Sequence, residues 1–377
     1  MDFEFTDEQE QLRDAVRRWV DKGFSFERRH ALAKAGGRTR EVLGELNELG
    51  LAGLAVPEAH GGMGFGAVEA MVVMEELGRG LVNAPYAQAA LVAPTLLSGA
   101  GEALQKAWLP KIAAGDALVV LAQQERHSRY RLNQVATQAV EGSGGYALSG
   151  TKVVVPAGDE ADAFIVPARL SGNETDGNGI GLFLVEKGSK GVTVRGYPTQ
   201  DGARAADLVL ADAPAALIAR DALTLLEHGV DVAIAAACAE GVGLMDKLLA
   251  MTVDYMHQRK QFGVAIASFQ ALRHRVADVK MQVELSRSMS YFASLKLGEA
   301  APQRRRALSQ AKVQLGNSMR FVGQQCVQLH GGIGVTDEYA GSHYFKRLTM
   351  LELSHGDTLH HLGEASARMT DGAGVFS

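Results

Sequence analysis

Between Ala117 and Leu210 the chain carries seven short apolar segments set between glycine, asparagine and aspartate clusters, and helical periodicity flanks them on both sides. The segments are 118–122, 146–150, 152–156, 163–167, 182–186, 192–195 and 207–210, rich in valine, leucine and isoleucine. Runs of this length and composition suit half-buried strands joined by tight turns. The cluster SerGlyAsnGluThrAspGlyAsnGlyIle at 171–180 is the longest of the turns. A β-rich middle enclosed by helical flanks predicts an α+β protein, with an antiparallel sheet between two helical regions.

The N-terminal flank begins with Thr6 and Gln9, the spacing of a capping box, and Leu12, Val16, Trp19 and Val20 follow at helical intervals. Val42, Leu43, Leu46 and Leu49 repeat the pattern up to a break at Gly50. The stretch 56–66 contains Gly62, Gly64 and Gly66, but no strand precedes it, so it is read as a chain reversal and not as a phosphate cradle. Helical periodicity resumes from Ala67 to Leu77. After Ala213 and Pro214 the chain returns to long helices at about 222–259, 268–297, 304–329 and beyond Asp357, enough for a four-helix bundle. The expected domains are 1–116, helical, 117–213, β, and 214–377, helical.

With 47% hydrophobic and 21% charged residues the chain is expected to fold rather than stay disordered. A net charge of −5 gives no electrostatic reason to bind nucleic acid or an anionic membrane. The apolar run Val230–Ala239 is short and is followed by Glu240 and Asp246, which makes it a buried helix and not a membrane span. The acidic opening lacks the apolar core of a signal peptide, and Cys238 and Cys326 are expected as free buried thiols in a reducing cytoplasm. No metal-ligand spacing is apparent.

Two later stretches carry chemistry that packing does not require. In 259–270, Arg259 offers a planar cation suited to phosphate oxygens, Phe262 an aromatic face and Gln270 an amide. In 324–334, Gln328 offers a second amide, and Gly331, Gly332 and Gly334 permit close backbone approach. Singly, Gln328 and His330 read equally well as polar residues at a bundle end, and Arg259 as a helix C-cap. As a set they suit a diphosphate-bearing cofactor.

The whole pattern resembles the acyl-CoA dehydrogenase family. The resemblance rests on Phe5–Gln9, 49–58, HisGlyGlyMetGlyPheGly at 60–66, ArgLysGlnPheGly at 259–263, PheGlnAlaLeu at 269–272, GlnLeuHisGlyGlyIleGly at 328–334 and 356–362, so it covers nearly the whole chain. It implies the acyl-CoA dehydrogenase fold, with FAD held at a subunit interface and α,β-desaturation of an acyl-CoA thioester. Electron-transferring flavoprotein is the implied acceptor. Arg259, Phe262, Gln270, Gln328, Gly331 and Gly332 would then contact FAD, shared with a partner subunit. Within the family the likeness is to subunits of heteromeric members, including the small subunit of pimeloyl-CoA dehydrogenase, that act on bulky or dicarboxylic acyl chains.

The chain departs from that family where the reaction takes place. The family's catalytic glutamate before the last helix corresponds to His355, and the alternative glutamate position on the first long C-terminal helix falls at Ala233 or Ile234. The flavin loop corresponds to 124–130, which keeps Glu125 and Ser128 but not the glycines. Val154 and Pro156 stand where a tryptophan and a threonine pack on the flavin. His355 and Asp357 are the weak candidates for a substitute base. Glu352 reads as a surface or salt-bridge residue, and Asp231 points away on its helix. Three functions follow: a subunit of a heteromeric acyl-CoA dehydrogenase that lacks the base, a homotetrameric dehydrogenase with a non-standard base, and a structural subunit without flavin.

Overall fold

The computed structural model describes residues 4–142 and 145–369, so residues 1–3 of the acidic opening lie outside the described residues. Six helices come first: α1 (Asp7–Gly23), α2 (Phe26–Lys34), α3 (Arg40–Glu48), α4 (Ala67–Arg79), α5 (Ala93–Leu97) and α6 (Glu102–Ala113). Seven strands follow: β1 (Val119–Leu121), β2 (Gln138–Gly142), β3 (Gly145–Pro156), β4 (Ala163–Arg169), β5 (Ile180–Glu186), β6 (Val192–Pro198) and β7 (Arg204–Ala219). The C-terminal part contains α7 (Leu223–Gln258), the hairpin β8 (Lys260–Gln261) and β9 (Val264–Ala265), then α8 (Gln270–Lys296), α9 (Ala301–His330), α10 (Ala340–Leu353) and α11 (Thr358–Met369). None of the described helices is long and apolar enough to cross a membrane.

These elements form two compact units. One holds the chain up to His30, Ala67–Val82 and everything from Ile234; the other holds Ala31–Gly66 and Asn83–Ala233.

In the first unit α1 starts with the full capping box, Gln9 N donating to Thr6 Oγ1 at 3.3 Å and Thr6 N to Gln9 Oε1 at 3.0 Å. Val16 and Val20 form its buried face. Arg17 holds α1 to α4 through Glu76 at 2.6 Å. Gly78 of α4 lies against the Glu240 carbonyl of α7, and Gly243 of α7 against the Glu75 carbonyl of α4. A Cβ at either position would collide with backbone, so the two glycines set how closely these helices cross.

In the second unit the strands run in the order β1-β4-β2-β3-β7-β5, β6 lies on β7, and a β4–β5 pairing closes the sheet on itself. The ladders are antiparallel except that β1, and β2 at one bridge, run parallel to β4. β4 is buried along its whole length, as the apolar run 163–168 requires. Its Phe164 shares a core with Phe183, Val185, Leu208 and Leu210. Phe164 and Phe183 are fully buried, and truncating either to alanine costs about 3–5 kcal/mol. Arg169 at the end of β4 donates to the carbonyls of Asn133, Glu174, Asp176 and Asn178, which pins the glycine-rich turn at 171–180. The 56–66 stretch folds back as a reversal, with the amides of Met63, Gly64 and Phe65 donating to Gly53, Val56 and Leu54. Those donors are therefore unavailable to a phosphate.

Candidate functional site

The residues expected to meet a cofactor are gathered by a small satellite core. Met256 at the end of α7, Ile266 after β9 and Leu329 in the last turn of α9 are buried together, with Phe269 and Leu272 against them. This contact brings the β8–β9 hairpin beside the glycine turn that ends α9. Gln261 pairs with Val264, leaving Phe262 and Gly263 as a two-residue tip with φ of 52° and 81°. That is the primed turn whose twist matches a hairpin, and it usually takes asparagine and glycine. Phe262 is 92% exposed at the tip, with its ring edge-on to that of Phe269, centroids 6.2 Å apart. Arg259, Gln270 and Gln328 are all exposed, and among the described residues their side chains make no hydrogen bond or ion pair.

His330 fixes the turn after α9. Its ring is buried between Tyr255 and Tyr339, with centroids 4.7 and 4.8 Å away. Nδ1 donates to the Cys326 carbonyl at 2.7 Å, and Nε2 accepts from the Tyr339 hydroxyl at 2.7 Å. Burial keeps the ring below its usual pKa, so it is neutral and structural. Gly331 then takes φ 65°, and neither Gly331 nor Gly332 has any heavy atom near where a Cβ would stand. Both peptide faces are open to a ligand from outside the chain.

The turn between α10 and α11 carries the two weak base candidates. Lys312 of α9, wholly buried, donates to the carbonyls of Leu351, Glu352 and Gly356 at 2.8–2.9 Å. Leu351, whose carbonyl also accepts from Ser354 N at 3.3 Å, and Glu352 lie in the last turn of α10, where a cation is favoured by the dipole, and Gly356 lies in the turn beyond. Burial lowers the lysine to about 8, opposed by Cys238, Glu352 and Asp357. His355 sits in this turn at φ 58°. Burial, reinforced by the Lys312 charge, lowers its ring to about 4. Asp357 caps α11, accepting from His360 N at 2.8 Å. Glu352, 3% exposed, accepts from Thr358 N and Oγ1 at 3.1 and 2.8 Å and pairs with Arg320 at 3.1 Å. Each carboxylate of the turn thus has a structural task.

On the β unit, Glu125 is also committed. It accepts from Lys152 Nζ at 2.6 Å, Thr137 Oγ1 at 2.7 Å and Ala136 N at 2.8 Å. Burial pushes its pKa up, but the Lys152 ammonium and these donors outweigh that and hold it below the usual range. Ser128 closes the loop by exchanging bonds of 3.0 Å with the backbone of Glu125. Val154 lies in a bulge of β3 at φ 53°, 45% exposed. A β-branched residue at that φ is a strained one. Asp231 on α7 is 1% exposed.

Lys312 and Lys152 did not stand out in the sequence as site-building residues, although each is a lysine inside a run that otherwise buries apolar side chains. His30, Asp337 and His343 place ligand atoms within 4.8 Å of one another. Arg29 donates to His343 Nδ1 at 2.5 Å, so the ring proton is on Nε2, which donates to the Asp337 carbonyl at 2.8 Å. Lys346 lies 3.3 Å from the Asp337 carboxylate. A cation-lined cluster whose second imidazole carries its proton toward the gap is not a metal-binding arrangement.

Three family models match consecutive stretches of the chain: acyl-CoA dehydrogenase N-terminal domain over residues 6–116, middle domain over 120–212 and C-terminal domain over 224–369. Acyl-CoA dehydrogenase FadE27 of Mycobacterium tuberculosis is 30% identical over 94% of this chain and 95% of its own length. The ChsE4–ChsE5 complex of Mycobacterium tuberculosis is similar in structure, with a TM-score of 0.89 and 27% identity over 99% of this chain and 100% of the matched chain. The Tcur3481–Tcur3483 steroid ACAD variant gives a TM-score of 0.87 and 28% identity over 98% of this chain and 99% of the matched one.

Proposed function

The chain belongs to the acyl-CoA dehydrogenase family of oxidoreductases, and from that premise we propose that it is the supporting subunit of a heteromeric, FAD-dependent member. It contributes part of the FAD site and an assembly surface, and a homologous partner chain contributes the base that removes the α-proton of the acyl-CoA thioester. The observation that carries this reading is the contrast between the two ends of the site. Arg259, Phe262, Gln270 and Gln328 are exposed and without polar partners beside the open Gly331–Gly332 turn, whereas the carboxylates around His355 are all engaged.

The first group suits a dinucleotide arriving from another subunit: Arg259 for the diphosphate, the glutamine amides for ribose or adenine, and Phe262 for a ring face. The flavin ring's own contacts do not fit this chain. Val154 has no aromatic face and Pro156 no N–H. When bound, FAD supplies the acceptor for the β-hydride; the residues named here only hold its nucleotide end.

The ChsE4–ChsE5 relative is a complex of two different chains, and the second relative is described as a steroid ACAD. The first supports a paired assembly and the second a bulky or steroid-derived acyl chain; electron-transferring flavoprotein is the acceptor we propose for it. A single-chain enzyme with its base at His355 or Asp357 has weaker support, since a ring lowered to about 4 is a poor proton acceptor and Asp357 caps a helix.

The test is to purify the chain alone and with a homologous partner, then measure bound flavin and its reduction by acyl-CoA. One flavin per pair of different chains, and none on the lone chain, is the expected outcome. Full flavin loading and turnover by the isolated homo-oligomer would reject the proposal.

A further inference from the structure

A pocket of about 330 Å³ opens in the first compact unit, where the end of α1, the start of α2, the residues after α4, the middle of α7 and the start of α10 meet. Its walls are apolar: Val20, Phe24, Leu81, Met251 and Tyr344 line it, and all but Met251 are at most 5% exposed. Three cations, Arg29, Arg79 and Lys247, open onto the same space, against one carboxylate, Asp21.

These cations are not equivalent. Arg79 is balanced by Glu76 at 2.7 Å and Asp21 at 2.9 Å. Arg29, 3% exposed, donates to Nδ1 of the His343 ring and has further partners in the chain. Lys247 makes no hydrogen bond or ion pair among the described residues. The pocket therefore combines an uncompensated ammonium, a buried guanidinium and an aromatic lining, at a size within the range of ligand sites.

We propose that this pocket binds a small amphipathic carboxylate, with its head at Lys247 and Arg29 and a short aliphatic or aryl body against Phe24, Leu81 and Met251. The Lys247 ammonium supplies the point charge that a carboxylate pairs with, and the Arg29 guanidinium adds positive charge beside it. The apolar walls gain by covering a hydrocarbon body that water would otherwise surround. This inference is independent of the subunit reading above, because it concerns binding and not turnover.

Trp19, one of only two tryptophans, stacks on Phe24 at 5.6 Å and reports on occupancy. The full-length chain is titrated with sodium octanoate, with octanol, which lacks the charged head, and with inorganic phosphate, which lacks the body. Tryptophan fluorescence and calorimetry are followed together. Octanoate is expected to saturate one site per chain, and the other two probes to bind at least tenfold more weakly. Lys247→Met, at a half-buried position, should weaken octanoate about tenfold, while Lys247→Arg keeps most of the affinity. Met251→Trp should block the site without altering charge. Equal binding of octanol and octanoate, full affinity in Lys247→Met, or no saturable heat would overturn the proposal.

Discussion

Replacing Lys312 by methionine tests how the turn holding His355 is built. The substitution keeps an apolar stem among Leu308, Ala311 and Leu315 on the buried stripe of α9 and removes the ammonium. The carbonyls of Glu352 and Gly356 then lose their donor, and that of Leu351 keeps Ser354 N at 3.3 Å. An unpaired buried carbonyl costs about 1–3 kcal/mol, so two unpaired and one weakened in one turn lose roughly 4–6 kcal/mol. The opposing gain is release from burying a charge. The fall in the Lys312 pKa from 10.5 to about 8 corresponds to roughly 3 kcal/mol at about 1.4 kcal/mol per pH unit. The variant should therefore be less stable at pH 7 by about 1–3 kcal/mol, read as a lower urea midpoint, with faster amide exchange across residues 353–358.

The pH dependence gives a second and sharper reading. Folded Lys312 releases its proton near pH 8, whereas the unfolded chain holds it to about 10.5. Between these values the unfolded state binds more protons, so wild-type stability rises with pH, and Lys312→Met lacks that rise. The gap between the two proteins should widen from pH 8 to 10 by roughly 2 kcal/mol. A variant as stable as wild type at pH 7, or a gap that stays constant up to pH 10, would refute the account of the turn.

Glu125→Gln leaves the fully buried Lys152 ammonium without its counter-charge, and should cost about 3–5 kcal/mol in chemical denaturation. The double change Glu125→Leu with Lys152→Met should recover most of that loss, since an apolar pair needs no counter-charge. Arg259→Gln and Phe262→Ser lie on exposed surface, so the lone chain should melt within about 0.5 kcal/mol of wild type. In a co-purified assembly the same changes should lower flavin affinity tenfold or more, and unchanged flavin retention would remove these residues from the site. His355→Glu restores a carboxylate at the turn but not the ring contacts at Val154 and Pro156, so the lone chain should remain unable to oxidise acyl-CoA; turnover by that single variant would contradict the division of labour between subunits.

The long helices were legible because their apolar stripes run for many turns. The span expected at 222–259 is Leu223–Gln258, and that at 304–329 is Ala301–His330. Helix α10 was not, because Gly341 and Ser342 open it and Tyr339 offers no side-chain cap. Strand β7 runs for 16 residues, but only its 207–210 stretch announced itself. The rest is largely alanine, a poor strand former that pairing with β3, β5 and β6 carries into the sheet. The two segments at 146–150 and 152–156 are one strand, interrupted by register shifts next to Gly150 and Val154. At the site, residue chemistry could be read from the chain, since an arginine, two glutamines and a glycine turn are informative wherever they sit. The primed turn at Phe262 and the capping by Lys312 depend on partners distant in sequence or on backbone geometry, which no local pattern encodes.

The hairpin tip also governs how the lone chain behaves in solution. Phenylalanine at φ 52° occupies a conformation that an asparagine would adopt more easily, by about 1 kcal/mol or more. Phe262→Asn should thus give a calmer, better-folded monomer and a poorer recruiter. With the native residue, a wide apolar ring stands clear of the molecule on a stiff two-stranded stalk. Such a preparation should self-associate as its concentration rises, and titrating in the homologous partner proposed above should reverse that clustering.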